Sequence, residues 1–479
     1  MSVEKKVKIP MGSTQVYKAN RVIPISSNPI ENGEVVVENG KIVDVRQSKD
    51  ARDFTGRDFG DAILLPGLVN VHTHLDYTVM RGLLEDLPFF TWIRQLTLRK
   101  SVLSPQDWLA SASWGAAEAL AGGVTTIGDC CDSGAAFHAA KLFGMRGIVY
   151  QEVFGIDESE SVQKILFDLN EKTEALKALS LGTLLQIGIS PHAPYTVRPE
   201  LFMALARYAN EKELRVCIHA SESPAEGELF FSGTGVIAEM FQRRGIEWRT
   251  PGKSAAEYLD SFGILTPRTM LVHGVQVSAS DRNLTRERGI SWAHCPKSNA
   301  KLGAGVAPLG ILTGRRFPDT LGEQDDYLQK VGLGSDGVAS NNTMDMFEEM
   351  RFSVLMQRAF RRNATSPGAK ETVEMATIGG ARALGLEKEI GTLEPGKQAD
   401  LCVVRTGDLH SFPTYDPYSA LVYATRASDV RLTVINGETR YDADLSPQSL
   451  LRFPGQNVAS IREGARFAAD KLRTAETAA

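Results

Sequence analysis

The stretch Leu64–Arg81, LLPGLVNVHTHLDYTVMR, decides how the rest of the chain is read. Its apolar residues Leu64, Leu65, Leu68, Val69 and Val71 predict one short strand that ends in His72-Thr73-His74. Residues two apart on a strand face the same way, so both imidazoles leave the strand's end on one side. Two neutral imidazoles side by side are a half-site for a divalent transition metal. Taken alone, the pair reads more readily as two hydrogen-bonded polar histidines, so the remaining ligands have to come from elsewhere in the chain.

Working outward, the sequence after Leu64 alternates apolar strands with helical stretches. Strands are expected at GVTTIGDC (123–130), GIVYQEVF (147–154), TLLQIGIS (183–190), RVCIHAS (215–221), TMLVHGV (269–275), GISWAHC (289–295) and VGLGSDG (331–337). With the first, these make eight β/α units, the arithmetic of a (β/α)8 TIM barrel. A doubly wound open sheet is the alternative, but no Gly-rich phosphate loop follows the early strands. Ser104-Pro105 predicts a helix start, and Gly122-Gly123 its end.

Both chain ends carry β texture. GEVVVENGKIVDVR places two alternating runs around Asn39-Gly40, a strong hairpin signal. Beyond the helical TVEMATIGGARALG, the runs GTLEPGKQADLCVVR and VRLTVINGETRY return to β character, and VASIREGARFAADKLRTAETAA predicts a last helix with a frayed end. The expectation is a small β-sandwich-like domain built from residues 1–63 and 389–479, the latter adding the C-terminal helix, beside a barrel over 64–388.

Bulk properties narrow the function. The chain has 479 residues, 43% hydrophobic and 23% charged, with a net charge of −5 and no long basic run, so neither nucleic acid nor an anionic membrane is expected as partner. No apolar run reaches the roughly 20 residues of a membrane span, and the N-terminus lacks the apolar core of a secretory signal. The five cysteines lack CxxC spacing, which suits a reducing cytoplasm better than a disulfide framework or a thiolate zinc site.

In a TIM barrel, chemistry sits at the C-terminal ends of the strands. Six of the eight histidines fall there: His72, His74, His192, His219, His273 and His294, with Asp336 ending the last strand. His138 and His410 read as surface or packing residues. An HxH pair with one further His and an Asp forms a mixed N/O set suited to Zn²⁺ or Fe²⁺, with a position left for water. Glu222, three residues past His219, is near enough to reach that water without binding the metal; an exposed loop glutamate is its ordinary alternative.

LLPGLVNVHTH, SPHAPYT, HASE, LVHG, HCPKSNAKLGAG and LGSDGVASNN, in this order, resemble the amidohydrolase superfamily. More narrowly, they resemble its cytosine deaminase and S-adenosylhomocysteine/methylthioadenosine deaminase branch, which also holds aminodeoxyfutalosine deaminases and triazine hydrolases. The resemblance runs from about Val7 to Asp444 and implies a single divalent metal, Zn or alternatively Fe, held by His72, His74, His219 and Asp336. It further implies that Glu222 shuttles a proton to a ring nitrogen, that His273 orients the attacking hydroxide, and that Asp336 passes a proton to the leaving amine. His192 would lie near the substrate ring, and Ser298-Asn299 would form the pocket floor or brace the strand. His294 and Lys297 are read as structural. Two-metal members use a carboxylated lysine at the end of strand four, and GTLLQIGISPHAPYT has none, so one metal is expected.

RGLLEDLPFFTWI resembles the branch's loop over the substrate, where Glu85 or Asp86 would take ribose hydroxyls and Trp92 or Phe89 would stack on a base or line the pocket; the alternative is an ordinary helix start with an amphipathic apolar face. The expected activity is hydrolytic deamination of an aminated N-heterocycle with release of ammonia, the substrate being a small molecule of the adenosine-type or thioether nucleosides (S-adenosylhomocysteine, methylthioadenosine, aminodeoxyfutalosine or similar). The same site could instead displace chloride or an alkylamine from a triazine, or open a cyclic amide. A scaffold without catalysis would lack the ligand set. A homodimer is expected from similar proteins, and two long insertions, 225–262 and 310–330, have no assigned role.

Overall fold

The computed structural model describes residues 14–48, 54–313, 330–446, 449, 451 and 457–475. Eight parallel strands form a barrel: β1 (Leu68–Thr73), β2 (Val124–Cys131), β3 (Arg146–Val153), β4 (Leu185–Pro191), β5 (Val216–Ala220), β6 (Thr269–His273), β7 (Ser291–His294) and β8 (Val331–Leu333). Each pairs with its sequence neighbour, and a parallel bridge between Thr73 and Asp336 returns β8 to β1. The Asp336 N–H donates to the His72 carbonyl at 2.9 Å, so closure is made by the two residues that flank the site. Nearly every strand residue is buried, as expected for parallel strands covered by helices on one face and by the barrel interior on the other.

The two ends of the chain join in a second sheet. Its strands run in the order Glu438–Asp442, Val430–Ile435, Leu401–Arg405, Ala62–Pro66, Gln15–Val22, Ile30–Glu38 and Lys41–Gln47. The Asn39-Gly40 turn joins the last two, with φ of 50° and 79°, the pair of positive angles that a two-residue hairpin needs. Arg146 at the foot of β3 ties the sheet to the barrel, its Nε 2.7 Å from Asp400 Oδ2 in a buried pair. Asp400 also accepts the Asn436 N–H at 2.8 Å, so the charge is hydrogen-bonded as well as paired.

The single strand expected over Leu64–Val71 is two. Ala62–Pro66 pairs antiparallel with Leu401–Arg405 in the terminal sheet, and only Leu68–Thr73 belongs to the barrel. Gly67 makes the handover: its N–H donates to Asp400 O, and a Cβ there would lie 2.2 Å from the Thr125 side chain. Ala62–Pro66 is thus a strand of the terminal sheet, and the first barrel strand begins after Gly67.

Helix Pro105–Ala121 has Ser104 as N-cap, with Asp107 completing a capping box. It holds the loop after β1, because Ser111 Oγ accepts from Val79 N–H at 3.0 Å and donates to Asp76 O at 2.6 Å. The C-terminal helix Val458–Thr474 packs on it through Lys471–Asp107 at 2.6 Å. The expected helix over 372–385 contains a wide turn at Met375–Gly379, where the helix meets the barrel wall. A Cβ on Gly379 would come 2.6 Å from Val331 O.

Insertion 225–262 forms three short helices, Pro224–Ser232, Gly235–Arg243 and Ala255–Asp260. Phe230, Phe241 and Tyr258 pack there with Ala193 and Tyr195, neighbours of His192. Most of insertion 310–330 lies outside the described residues. Among the described residues, no helix is long and apolar enough to cross a membrane.

Candidate metal centre

The alternation of β1 puts His72 and His74 side by side, with ring centroids 4.9 Å apart and planes at 90°. β5 delivers His219 to the same place, its ring 4.8 Å from His72 and 5.5 Å from His74. Asp336, just beyond β8, sits at φ 58°, a left-handed conformation uncommon outside glycine and a known locus of functional strain. That conformation turns its carboxylate inward. Oδ2 accepts from Ser298 Oγ at 2.6 Å and Ser340 Oγ at 2.9 Å, which leaves Oδ1 3.4 Å from His72 Nε2 and 3.5 Å from His74 Nε2.

Hydrogen bonds on the far side of the rings orient them. His74 Nδ1–H donates to Cys130 O at 2.8 Å and His219 Nδ1–H donates to His192 O at 2.9 Å. Each Nε2 then carries a lone pair facing the centre, the arrangement found behind metal-bound imidazoles. His72 Nε2 is sealed from solvent and has no hydrogen-bond partner among the described residues. Three triads share His72, namely His72/His74/Asp336, His72/His219/His273 and His72/Cys130/Cys217, each with candidate ligand atoms within 4.8 Å of one another.

The charges point to a cation. Burial works against protonating His72, yet Asp336, together with Cys217, pushes it up to about 10. Burial and the neighbouring His72 charge pull His74 down to about 3. Against its own burial, Asp336 is held well below the usual carboxylate range by His72 and the other imidazoles. A buried pocket that draws one positive charge against Asp336, with an unpartnered nitrogen at its centre, fits a divalent ion.

Next to this set stand Glu222 and His273. His273 ends β6 at φ 74°, and its Nδ1–H donates to Asn299 Oδ1 at 2.9 Å. Its Nε2 therefore faces inward, 3.5 Å from Glu222 Oε1. Burial raises the Glu222 carboxyl above its ordinary value, as a proton shuttle working near neutrality needs. Glu222 is placed by Glu226, whose two carboxylate oxygens accept the N–H groups of Ser221 at 2.9 Å and Glu222 at 2.8 Å. Glu226 was not among the expected site residues. Its signal is the Ser223-Pro224-x-Glu226 pattern of a helix start, from which the carboxylate reaches further back than a capping box would take it.

The remaining expected residues divide. His192 is at the mouth, its ring 4.8 Å from His219 and 4.6 Å from Phe154, with Nδ1 3.0 Å from Thr196 Oγ1. Ser298 and Asn299, expected to form the pocket floor or brace the strand, stand behind Asp336 and His273; Asn299 is buried and its oxygen accepts from His273 Nδ1–H. Glu85, expected on a ribose, is exposed and paired with Lys301 at 2.9 Å and Asn342 at 3.0 Å. Trp92, expected to stack on a base, is buried with Met80, Leu96 and Leu472, the apolar face of helix Phe89–Lys100. Lys297 pairs with Glu348 and Thr343, a bracing role. His138 lies on a helix surface, and His410 Nε2–H donates to Asp429 Oδ2 at 2.8 Å. Glu152, unforeseen, is the next-to-last residue of β3, with a ligand atom within 4.8 Å of ring nitrogens of His192 and His219, and burial pushes its carboxyl up to about 8.

A (β/α)8 barrel with such a centre at the C-terminal ends of its strands defines a metal-dependent hydrolase. Residues 63–440 match the amidohydrolase family, and the chain belongs to that family, acting as a hydrolase of carbon–nitrogen bonds. A 5-methylthioadenosine/S-adenosylhomocysteine deaminase of Syntrophobacter fumaroxidans is 35% identical over 417 residues, 85% of this chain and 87% of its own. The Bacillus thuringiensis protein of the same name is 32% identical over 419 residues, 85% and 89% of the two chains. Among solved structures, an adenosine deaminase from Xanthomonas campestris with bound zinc matches at TM-score 0.81 and 30% identity, covering 96% of this chain and 99% of that one. An atrazine chlorohydrolase from Arthrobacter aurescens with zinc shares the fold at TM-score 0.78 and 22% identity, covering 95% and 99%.

Proposed function

We propose that the protein is a hydrolytic deaminase of adenosine-type nucleosides, thioether nucleosides such as 5-methylthioadenosine and S-adenosylhomocysteine included, with one zinc ion per chain. The observation that carries this reading is the Glu222–His273 pair at 3.5 Å beside the His72/His74/His219/Asp336 cluster. The deaminase relatives at 32–35% identity supply the substrate class.

His72, His74, His219 and Asp336 would hold the ion. When bound, it supplies Lewis acidity and brings the pKa of water from 15.7 towards about 7. His273, an acceptor at Nε2 when neutral, orients the attacking water towards the ring carbon that bears the amine. Glu222 takes one water proton and delivers it to the adjacent ring nitrogen, so no negative charge builds on the heterocycle. Asp336 takes the second proton and passes it to the amine. The C–N bond then breaks, releasing ammonia and leaving a ring N–H beside a carbonyl, so that water's two hydrogens and its oxygen are all accounted for. The five cysteines, all free and buried, are consistent with the reducing cytoplasm expected from the sequence.

The test is ammonia release from adenosine, 5-methylthioadenosine, S-adenosylhomocysteine, aminodeoxyfutalosine, cytosine, guanine and a chlorotriazine. Turnover of at least one adenosine-type nucleoside ahead of the others is expected. Silence on every nucleoside with chloride release from the triazine would move the assignment to the other chemistry this barrel supports.

A further inference from the structure

His294, the last residue of β7, is a buried imidazole with neither ring nitrogen hydrogen-bonded among the described residues. Buried polar groups in folded proteins are almost always paired, so two orphan nitrogens on one ring need a cause. A third orphan lies beside them: Nδ2 of Asn299, whose Oδ1 accepts from His273. His294, Asn299 and Gln357 line the same small cavity, which has about 10 Å³ of room, roughly one water, and whose outer end is formed by Gly305 and Val306. Gln357 is itself anchored, its Nε2 donating to Ala307 O at 2.6 Å.

The Asn299 amide has consequences for the reaction. With Oδ1 towards His273, the proton sits on His273 Nδ1 and Nε2 is an acceptor facing Glu222. With the amide turned over, Nδ2 would face the ring, Nδ1 would become the acceptor, and the proton would move to Nε2. Whatever receives Asn299 Nδ2 therefore selects the His273 tautomer. Burial and the nearby His273 hold His294 down to about 3, so it is neutral and has one acceptor nitrogen.

We propose that His294 is a positioning residue for His273, acting through one buried water that accepts from Asn299 Nδ2 and donates to the His294 ring. This rests on the catalytic role assigned to His273 above. A purely packing role predicts the opposite behaviour for an apolar replacement, because removing an unpaired buried imidazole is neutral or stabilising.

His294→Phe is expected to fold, keep its metal and lower kcat about tenfold or more with little change in KM, as displaced catalytic groups do. His294→Gln, which keeps an acceptor, is expected to recover most of that loss. In an Asn299→Ala background, His294→Phe should add little, since both act through one chain. A kcat for His294→Phe within about twofold of the parent overturns the proposal. If the variants do not fold, a crystal structure of the unsubstituted metalloprotein decides. A water within about 3.2 Å of both Asn299 Nδ2 and a His294 nitrogen supports it, and a cavity without one overturns it. That readout needs no substrate, so it stands apart from any failure of the deaminase assay.

Discussion

Glu226→Gln is the perturbation that separates positioning from chemistry at this site. The Glu226 carboxylate accepts two backbone N–H groups, from Ser221 at 2.9 Å and Glu222 at 2.8 Å, and is itself buried. Ser221 is held at φ 56°, so the turn that presents Glu222 depends on this clamp. Gln matches the shape but offers one acceptor oxygen, and its NH2 faces an N–H. One buried donor is left unpaired and one charge-assisted bond is lost, a cost of about 1–3 kcal/mol in stability. The larger effect is geometric, because a catalytic group misplaced by about 1 Å can lose about 100-fold in rate. We expect kcat to fall between about tenfold and 100-fold, while metal content, read by mass spectrometry, stays at the parent value because no ligand touches Glu226. Steady-state ammonia release measures the first quantity and thermal unfolding the stability change. A variant destabilised as predicted but with parental kcat would refute the idea that Glu226 sets the position of Glu222.

Three further substitutions test neighbouring parts of the account. Glu222→Gln should keep its metal and fold yet lose at least about 100-fold in turnover, since proton shuttling contributes 10²–10⁴; parental turnover would remove the shuttle. Ser298→Ala deletes the 2.6 Å bond to Asp336 Oδ2 and should weaken metal affinity about 10–100-fold in chelator competition, with unchanged affinity contradicting the bracing role. Trp92→Ala should cost about 3–5 kcal/mol of stability by denaturant unfolding with little change in KM, as packing implies, whereas a raised KM at parental stability would return Trp92 to the substrate.

What could be read from the chain alone follows the range of the interactions. His72 and His74 declared themselves because a strand's period of two is local, and Asn39-Gly40 because a two-residue hairpin turn is chosen by φ alone. The order of eight strands gave the barrel, and with it the convergence of His219, His273 and Asp336 on the first pair. The change of sheet at Gly67 was hidden, because Ala62–Pro66 and Leu68–Thr73 are both continuously apolar while their partners lie far along the chain. Trp92 was ambiguous for a related reason: the face of a helix that packs on Leu472 looks the same in sequence as one that lines a pocket. Glu226 and Glu152 are single carboxylates whose importance comes from burial, which local patterns do not report; the Ser223-Pro224-x-Glu226 helix start marks the first only as a capping residue, and a glutamate inside GIVYQEVF was the one available hint for the second. Asn299 was placed at the right end of the barrel by its position after β7, while its hydrogen bond to His273 joins residues 26 apart in sequence and has no local pattern.

Metal stoichiometry by inductively coupled plasma mass spectrometry tests the central claim most directly. The purified protein should carry close to one zinc per chain, and His72→Ala, which removes the residue shared by the His72/His74/Asp336 and His72/His219/His273 triads, should carry almost none. Two ions per chain, or a full complement retained by His72→Ala, would contradict a single centre built on His72, His74, His219 and Asp336.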